Sequence, residues 1–417
     1  MDFPTINFEE IYGNNKKIID YQKQRYAALV EEFISGFGKK KLRFFSSPGR
    51  IEIGGNHTDH NNGKVIAASI NLDTIAAVSP VDEKRITIYS EGYENSFEVD
   101  LNNLEKQAGE TGTTNALIRG IAFKFNELNY NIGGFEAVIK SDVLPGSGLS
   151  SSASVEVLIA NILNELFNGG RINGVEIARI SQFAENEFFG KPCGLMDQMA
   201  CALGGIIAID FENPARPVFE KVNFDFANNG YNVIIVNTGG SHADLTDEYS
   251  SIPEEMKAVA KYFGKNVCRE LSMELILSGI KRLREKTGDR AVLRAIHFLT
   301  ENQRVEKELS ALKENNLKKF FSLVNSSGNS SFKYLQNVYS NVNINEQPLS
   351  LALALTENYL EETGDGACRV HGGGFAGTIL VFLPFRKTEE YVKLISEVFG
   401  NQNVKILSVR NHGSMIL

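Results

Sequence analysis

Apolar residues recur at helical spacing early in the chain: Tyr21, Tyr26, Leu29, Val30 and Phe33 share one face of residues 18–37. This spacing predicts a helix, with Gly36 and Gly38 to end it. The pattern then changes to that of strands. Residues 42–45 read as a short strand, and residues 65–80, dense in Ala, Ile and Val, as a buried strand or strand pair. Residues 85–89 and 96–101 alternate about a Gly-containing turn and predict a hairpin. Helical spacing returns over 115–128, 155–167 and 175–189, interrupted by an apolar strand at 134–141. Strands are expected at 204–211 and 232–236. Residues 254–318 are mostly helical and charged, and 349–361 and 391–399 are further helices. Residues 367–382 join a triple glycine to a strand, and 404–409 form the last strand.

Three polar, glycine-rich stretches break this pattern. Residues 46–63 crowd glycine, asparagine, aspartate and histidine beside Arg50, which is poor material for a core strand. Asn61, Asn62 and Gly63 read as a surface turn. A turn does not need Arg50, His57 and Asp59 together, and these point to a ligand-binding loop. Residues 142–154, rich in glycine and serine, stand between a strand and a helix. The unpaired N–H groups and positive dipole end of a helix start suit a phosphate. The spacing is not that of a Walker A loop, because no Lys follows the glycines. The third stretch is Gly372, Gly373 and Gly374 with Phe375, Ala376 and Gly377. A site assembled from distant loops is typical of an enzyme cleft between domains.

Composition narrows the partners. The 417 residues carry a net charge of −8, with 42% hydrophobic and 23% charged positions. That is an ordinary globular chain, and its charge argues against nucleic acid or an anionic membrane as the main partner. The four cysteines, Cys193, Cys201, Cys268 and Cys368, show no CxxC spacing and suggest reduced thiols in a cytoplasmic protein. Residues 1–17 lack the apolar run of a signal peptide, and no later run reaches membrane-spanning length.

With these residues in view, the chain resembles the galactokinase-type members of the GHMP small-molecule kinase superfamily. Pro48, Gly49 and Arg50 through Asn56, His57, Thr58 and Asp59 are similar to the family's sugar signature. Residues 145–154 resemble the superfamily phosphate loop. Cys193 to Gln198 matches the segment with the family's catalytic aspartate, and residues 372–377 resemble the third motif. The resemblance implies an α+β fold with a ribosomal-protein-S5-like N-terminal domain, residues 1–220, and a ferredoxin-like C-terminal domain, residues 221–417. It implies ATP-dependent phosphorylation of the C1 hydroxyl of galactose or a close relative, with ATP and Mg²⁺ and no obligate protein partner. Asp197 would be the base and Arg50 its neighbour near the phosphoryl group. Asn56, His57, Asp59, Gly194 and Tyr249 would contact the sugar. Pro145, Gly146, Ser147, Gly148, Leu149, Ser150, Ser151 and Ser152 would wrap the ATP phosphates, and Ser152 and Glu185 would hold the metal.

The chain departs from the family in three places. Asn56 stands where the signature usually has a glutamate facing the C6 end of the sugar, and His60 where it has tyrosine. His371 stands where the third motif usually has threonine. The first forty residues are unlike the usual short opening. These departures leave open a C6-modified sugar such as galacturonate, or a pentose. A catalytically silent sugar sensor is the alternative outside the enzyme class.

Overall fold

The computed structural model describes residues 6–143, 146, 148–239 and 245–417. Helices α1 (Phe8–Tyr12) and α2 (Lys16–Phe37) open the chain. Asn15 caps α2 by accepting from the Lys17 amide, and Gly38 ends it at φ 78°, while Gly36 lies inside the helix. The first part of the sugar-signature segment is a strand after all: β1 (Arg43–Gly54) runs straight through Pro48 and Arg50, and residues 55–63 turn back toward the next strand. Its pairing with β2 (Lys64–Val81) slips between Pro48 and Arg50 and again between Glu52 and Gly54. Such irregularities let a strand carry a proline and re-aim its side chains.

The chain continues through β3 (Arg85–Ser90), β4 (Phe97–Asp100), α3 (Thr114–Glu127), β5 (Gly134–Ser141) and α4 (Ser151–Phe167). Next come α5 (Gly174–Phe183), α6 (Met196–Leu203), β6 (Ile206–Asp210), β7 (Val218–Val222) and β8 (Tyr231–Asn237). The expected helix over 175–189 is α5 followed by a π-helical turn, Ala184–Phe189. The charged helical region holds α7 (Thr246–Tyr262), α8 (Met273–Thr287), α9 (Asp289–Lys313) and α10 (Leu317–Ser330), and α11 (Pro348–Thr363) follows. The chain closes with β9 (Ala367–His371), β10 (Thr378–Pro384), α12 (Phe385–Phe399), β11 (Val404–Leu407) and β12 (Met415–Ile416).

The strands form two sheets, and the fold is α+β with two lobes. The larger sheet has the order β12-β1-β2-β5-β3-β4, with β6 on β2 and β7 on β6. The smaller, antiparallel sheet has the order β11-β8-β10-β9. In chain order that is fourth, first, third, second, with helices inserted after the first and third strands: the split βαβ pattern of a ferredoxin-like lobe. The expected division after residue 220 falls inside β7, and β12 rejoins the first sheet. The two sheets, not one cut in the chain, mark the lobes.

Each sheet face buries its own apolar layer. Phe45, Ile86 and Phe135 meet Ile121, Val157 and Ile180 of α3, α4 and α5. The opposite face is covered by the atypical opening, where Tyr26, Leu29 and Phe33 pack on Phe44, Ile75 and Val138. A third layer, including Ile51, Ile66, Val233, Ile235, Leu380 and Phe382, packs the two sheets together.

Asp73 of β2, fully buried, pins the ends of the chain to the sheet. It accepts from Tyr12 at 2.6 Å, from Ser46, from Arg25 at 2.7 Å and from Arg410 at 3.1 Å. Burial alone would raise its carboxyl pKa, but Arg25 and Arg410 outweigh it and hold the group below the ordinary carboxylate range. Its stabilising share is therefore full at neutral pH and is lost as pH falls through that depressed range. Asp73→Ala leaves two buried guanidinium groups without their shared partner and is expected to cost about 3–5 kcal/mol. Urea unfolding of the variant checks this, and a loss under about 1 kcal/mol would contradict it.

Candidate active site

The glycine-serine stretch meets β1 at the start of α4. The Arg50 amide donates to the Leu149 carbonyl at 3.0 Å, and Ser154 Oγ donates to the Ser47 carbonyl at 2.8 Å. Gly146 and Gly148 both take φ 73°, and Ser150 takes φ 61° before the helix begins. These conformations turn the loop over the helix start, where free N–H groups are available to an anion. Pro145 and Ser147 lie outside the described residues.

Arg50 and Asp197 face each other beside this loop. Asp197 sits in the first turn of α6. Arg50 binds it with a fork of two bonds, Nε to Oδ1 at 2.6 Å and Nη2 to Oδ2 at 2.7 Å. The remaining Nη1 donates to the Gly148 carbonyl, and Ser150 Oγ donates to Asp197 Oδ2. Desolvation pushes the Asp197 pKa up, yet Arg50 prevails and keeps it below the ordinary range. The Asp197 side chain stays 27% exposed, so an ionised carboxylate is open to a ligand beside the glycine-serine loop.

Ser152, in the first turn of α4, and Glu185, in the π-helical turn, come together with Oγ and Oε1 3.3 Å apart. Lys191 reaches Glu185 Oε1 at 3.3 Å, and Gln198 Nε2 reaches Oε2 at 2.9 Å. Gln198 also bridges to Glu156 at 3.1 Å. Burial, with Glu185 close by, pushes the Glu156 pKa well up. The sequence reading missed Glu156 and Gln198. Glu156 had a legible signal, standing four residues after Ser152 on the same helix face.

The sugar-signature residues divide. Asn56 faces the interior, which corrects its expected role in sugar contact. It is wholly buried, and its amide is saturated: Nδ2 donates to Glu52 and to the Gly372 carbonyl, while Oδ1 accepts from Ser331 and Asn337. His57, at φ 56°, donates from Nε2 to the Gly373 carbonyl at 2.9 Å. Burial lowers its pKa to about 3, so the ring is neutral and its Nδ1 is an acceptor. Tyr249 donates to the Gly374 carbonyl at 2.7 Å. The three carbonyls of the triple glycine are thus each held by a side chain, and this motif acts as a clasp between lobes. The expected Tyr249 contact with sugar competes with that clasp for its hydroxyl.

Asp59 and Gly194 lie against each other. A Cβ placed on Gly194 would stand 1.6 Å from Asp59 Oδ2, so the carboxylate keeps its place only because residue 194 has no side chain. Gly194→Ala must displace Asp59. The expected result is a rise in KM for the sugar of about tenfold or more, with KM for ATP within about twofold. An unchanged sugar KM would remove the Asp59–Gly194 pair from the binding surface.

Two families match this chain: GHMP kinases N terminal domain over residues 116–205 and Galactokinase galactose-binding signature over residues 31–80. The galactokinase of Clostridium tetani is 31% identical over 375 residues, covering 89% of this chain and 92% of its own. That of Clostridium acetobutylicum is 32% identical over 374 residues, covering 88% and 92%. The chain belongs to the galactokinase family. The crystal structure of Lactococcus lactis galactokinase complexed with galactose superimposes with a TM-score of 0.82 at 27% identity, covering 94% of this chain and all of that one. A mevalonate kinase structure, at 16% identity and a TM-score of 0.62, shares the fold alone. In this galactokinase-family chain the signature match spans β1 and most of β2, including Arg50 and Asp59. The kinase-domain match spans the glycine-serine loop, Glu185 and Asp197.

Proposed function

We propose that this protein transfers the γ-phosphoryl group of ATP to the C1 hydroxyl of galactose. The observation that carries this is the Arg50–Asp197 fork beside Gly148: an ionised carboxylate and a fixed cation at the mouth of a helix-start anion site. The C1 oxygen forms a bond to the γ-phosphorus as the bond from that phosphorus to its bridging oxygen breaks. ADP leaves, and the hydroxyl proton passes to Asp197. Arg50 keeps Asp197 ionised and neutralises charge near the transferred group. Gly146, Gly148, Leu149, Ser150, Ser151 and Ser152 supply the cradle for the phosphates. His57, through Nδ1, and Asp59 beside Gly194 receive the sugar.

Mg²⁺ fits Ser152 and Glu185. A hydroxyl and a carboxylate oxygen suit a hard cation, and their 3.3 Å separation lets both face one ion. When bound, the ion would offset charge on the phosphates. All four cysteines are free, in keeping with a place in the cytoplasm. No helix among the described residues is long and apolar enough to cross a membrane.

The inward turn of Asn56 removes the reason to expect a C6-modified sugar, because that amide has no bond left to offer. Intact Asp197 and Ser152 do not favour the silent sensor. ADP release measured with galactose, 6-deoxygalactose, galacturonate and a pentose tests the proposal. Turnover with galactose well above the others is expected. Release with none of them, despite sugar binding, would overturn it.

A further inference from the structure

His371 closes β9 and is 1% exposed. Its Nε2 accepts from the backbone amide of Glu52 at 2.9 Å. A nitrogen that accepts carries no hydrogen, so the neutral ring holds its hydrogen on Nδ1. Burial, helped by Arg50 and Arg369, depresses the pKa well below the ordinary histidine range and keeps the ring neutral. The Nδ1–H is therefore a donor. It is buried and, among the described residues, has no partner.

What lies against this donor is the phosphate loop. A Cβ on Gly148 would stand 3.3 Å from His371 Nδ1 and 2.8 Å from Thr378 Oγ1. His371 and Thr378 are opposite each other in the β9–β10 ladder. The first rung of the C-terminal hairpin thus forms a polar floor beneath Gly148. The Gly148 carbonyl has two lone pairs, and Arg50 takes one. The same Arg50 binds Asp197, so the floor, the loop and the base form one chain of contacts. A buried donor left unpaired is unfavourable, and the adjacent loop backbone offers the means to pair it.

We propose that His371 is a positioning residue for the nucleotide: its Nδ1–H is the donor that fastens the phosphate loop at Gly148 when the phosphates bind. This rests on the reading of residues 145–152 as a phosphate loop. It places a contact from the C-terminal lobe under a site built by the N-terminal lobe. It also gives a function to a histidine that the family resemblance marks only as a departure.

Two variants isolate the Nδ1 hydrogen. His371→Phe keeps a ring and loses both nitrogens. His371→Asn also loses the contact to Glu52, but its Nδ2 stands at the position of Nδ1 and donates. In calorimetric titrations His371→Phe is expected to weaken ATP and ADP alike by about tenfold, with galactose affinity within about twofold. His371→Asn is expected to recover nucleotide affinity to within about threefold of the parent. Equal losses in the two variants would overturn the proposal, as would galactose affinity falling in step with that of ATP. Weakening confined to ATP would also overturn it, by moving the contact from the loop to the terminal phosphate. A second measurement uses the parent alone: in ¹⁵N-labelled protein the His371 Nδ1 proton should shift downfield and gain exchange protection on adding ADP. An unmoved signal would refute the contact. A parent that binds galactose but neither nucleotide would overturn the kinase reading itself, and this inference with it.

Discussion

Asp197→Asn is expected to lower kcat by a factor of about 10² or more while sugar binding stays largely in place. The carboxylate accepts three bonds, two from Arg50 and one from Ser150. Asparagine offers one acceptor oxygen, so its amide hydrogens must oppose a donor of Arg50 or Ser150. The variant thus loses the proposed proton acceptor and disturbs Arg50, the group proposed to neutralise the transferred phosphoryl. Asp197→Ala separates these effects, because it removes the acceptor without adding opposed donors. The pH dependence follows from the depressed carboxyl. If Asp197 accepts the proton, the ionised form is the active one, and kcat/KM should stay level down through the usual carboxylate range and fall only below it. A variant within tenfold of the parent would remove Asp197 from the chemistry. An acid limb between pH 6 and 7 that vanished in the variant would show its pKa raised instead.

Gly148→Val is the second large effect, and it acts on the nucleotide. Residue 148 sits at φ 73°, a conformation that β-branched residues resist. Its Cβ would meet Thr378 Oγ1 at 2.8 Å and Thr378 Cβ at 3.1 Å, both on the C-terminal hairpin. The loop must lift, the two lobes must part, or both. Loss of ATP affinity by about 10²-fold or more is expected, from backbone strain added to the clash. Gly148→Ala should fall between, since it shares the strain and the first contact but lacks the branched methyls. Equilibrium binding of ATP checks both. A valine variant within threefold of the parent would mean that this turn is not where phosphates lie.

The sequence carried the α+β class because strand-like and helix-like spacings alternate over long stretches. It marked Arg50, Gly148, Ser152, Glu185 and Asp197 as candidates because each stands in a short motif with its neighbours, and the structure brings them to one place. It misled at β1. Glycine, proline and polar residues looked unfit for a strand, yet the ladder to β2 absorbs them through two slips in register. It misled at Asn56 for a different reason. Whether an amide faces a ligand or the interior depends on partners far along the chain, here Ser331, Asn337 and Gly372, and no local pattern reports them. Short strands such as β7 and β12 carry too few residues to show a period. The clasp of the triple glycine was hidden because its meaning lies in which side chains its carbonyls receive.

The return of the last strand to the first sheet bears on how the molecule is assembled. Phe45 pairs with Ile416, and Arg410 reaches Asp73 across the whole second lobe. Closing so long a loop carries an entropic penalty on the order of 5 kcal/mol, and it must be met before the contacts it brings can repay it. Contacts of this separation form slowly. The first sheet therefore cannot be finished by its own lobe. The second lobe acts as a tether that delivers the closing strand, and the buried charge of Asp73 waits for its last partner until that delivery. Refolding should be governed by this late docking step, and a chain cut anywhere in the second lobe would forfeit the completion of the first.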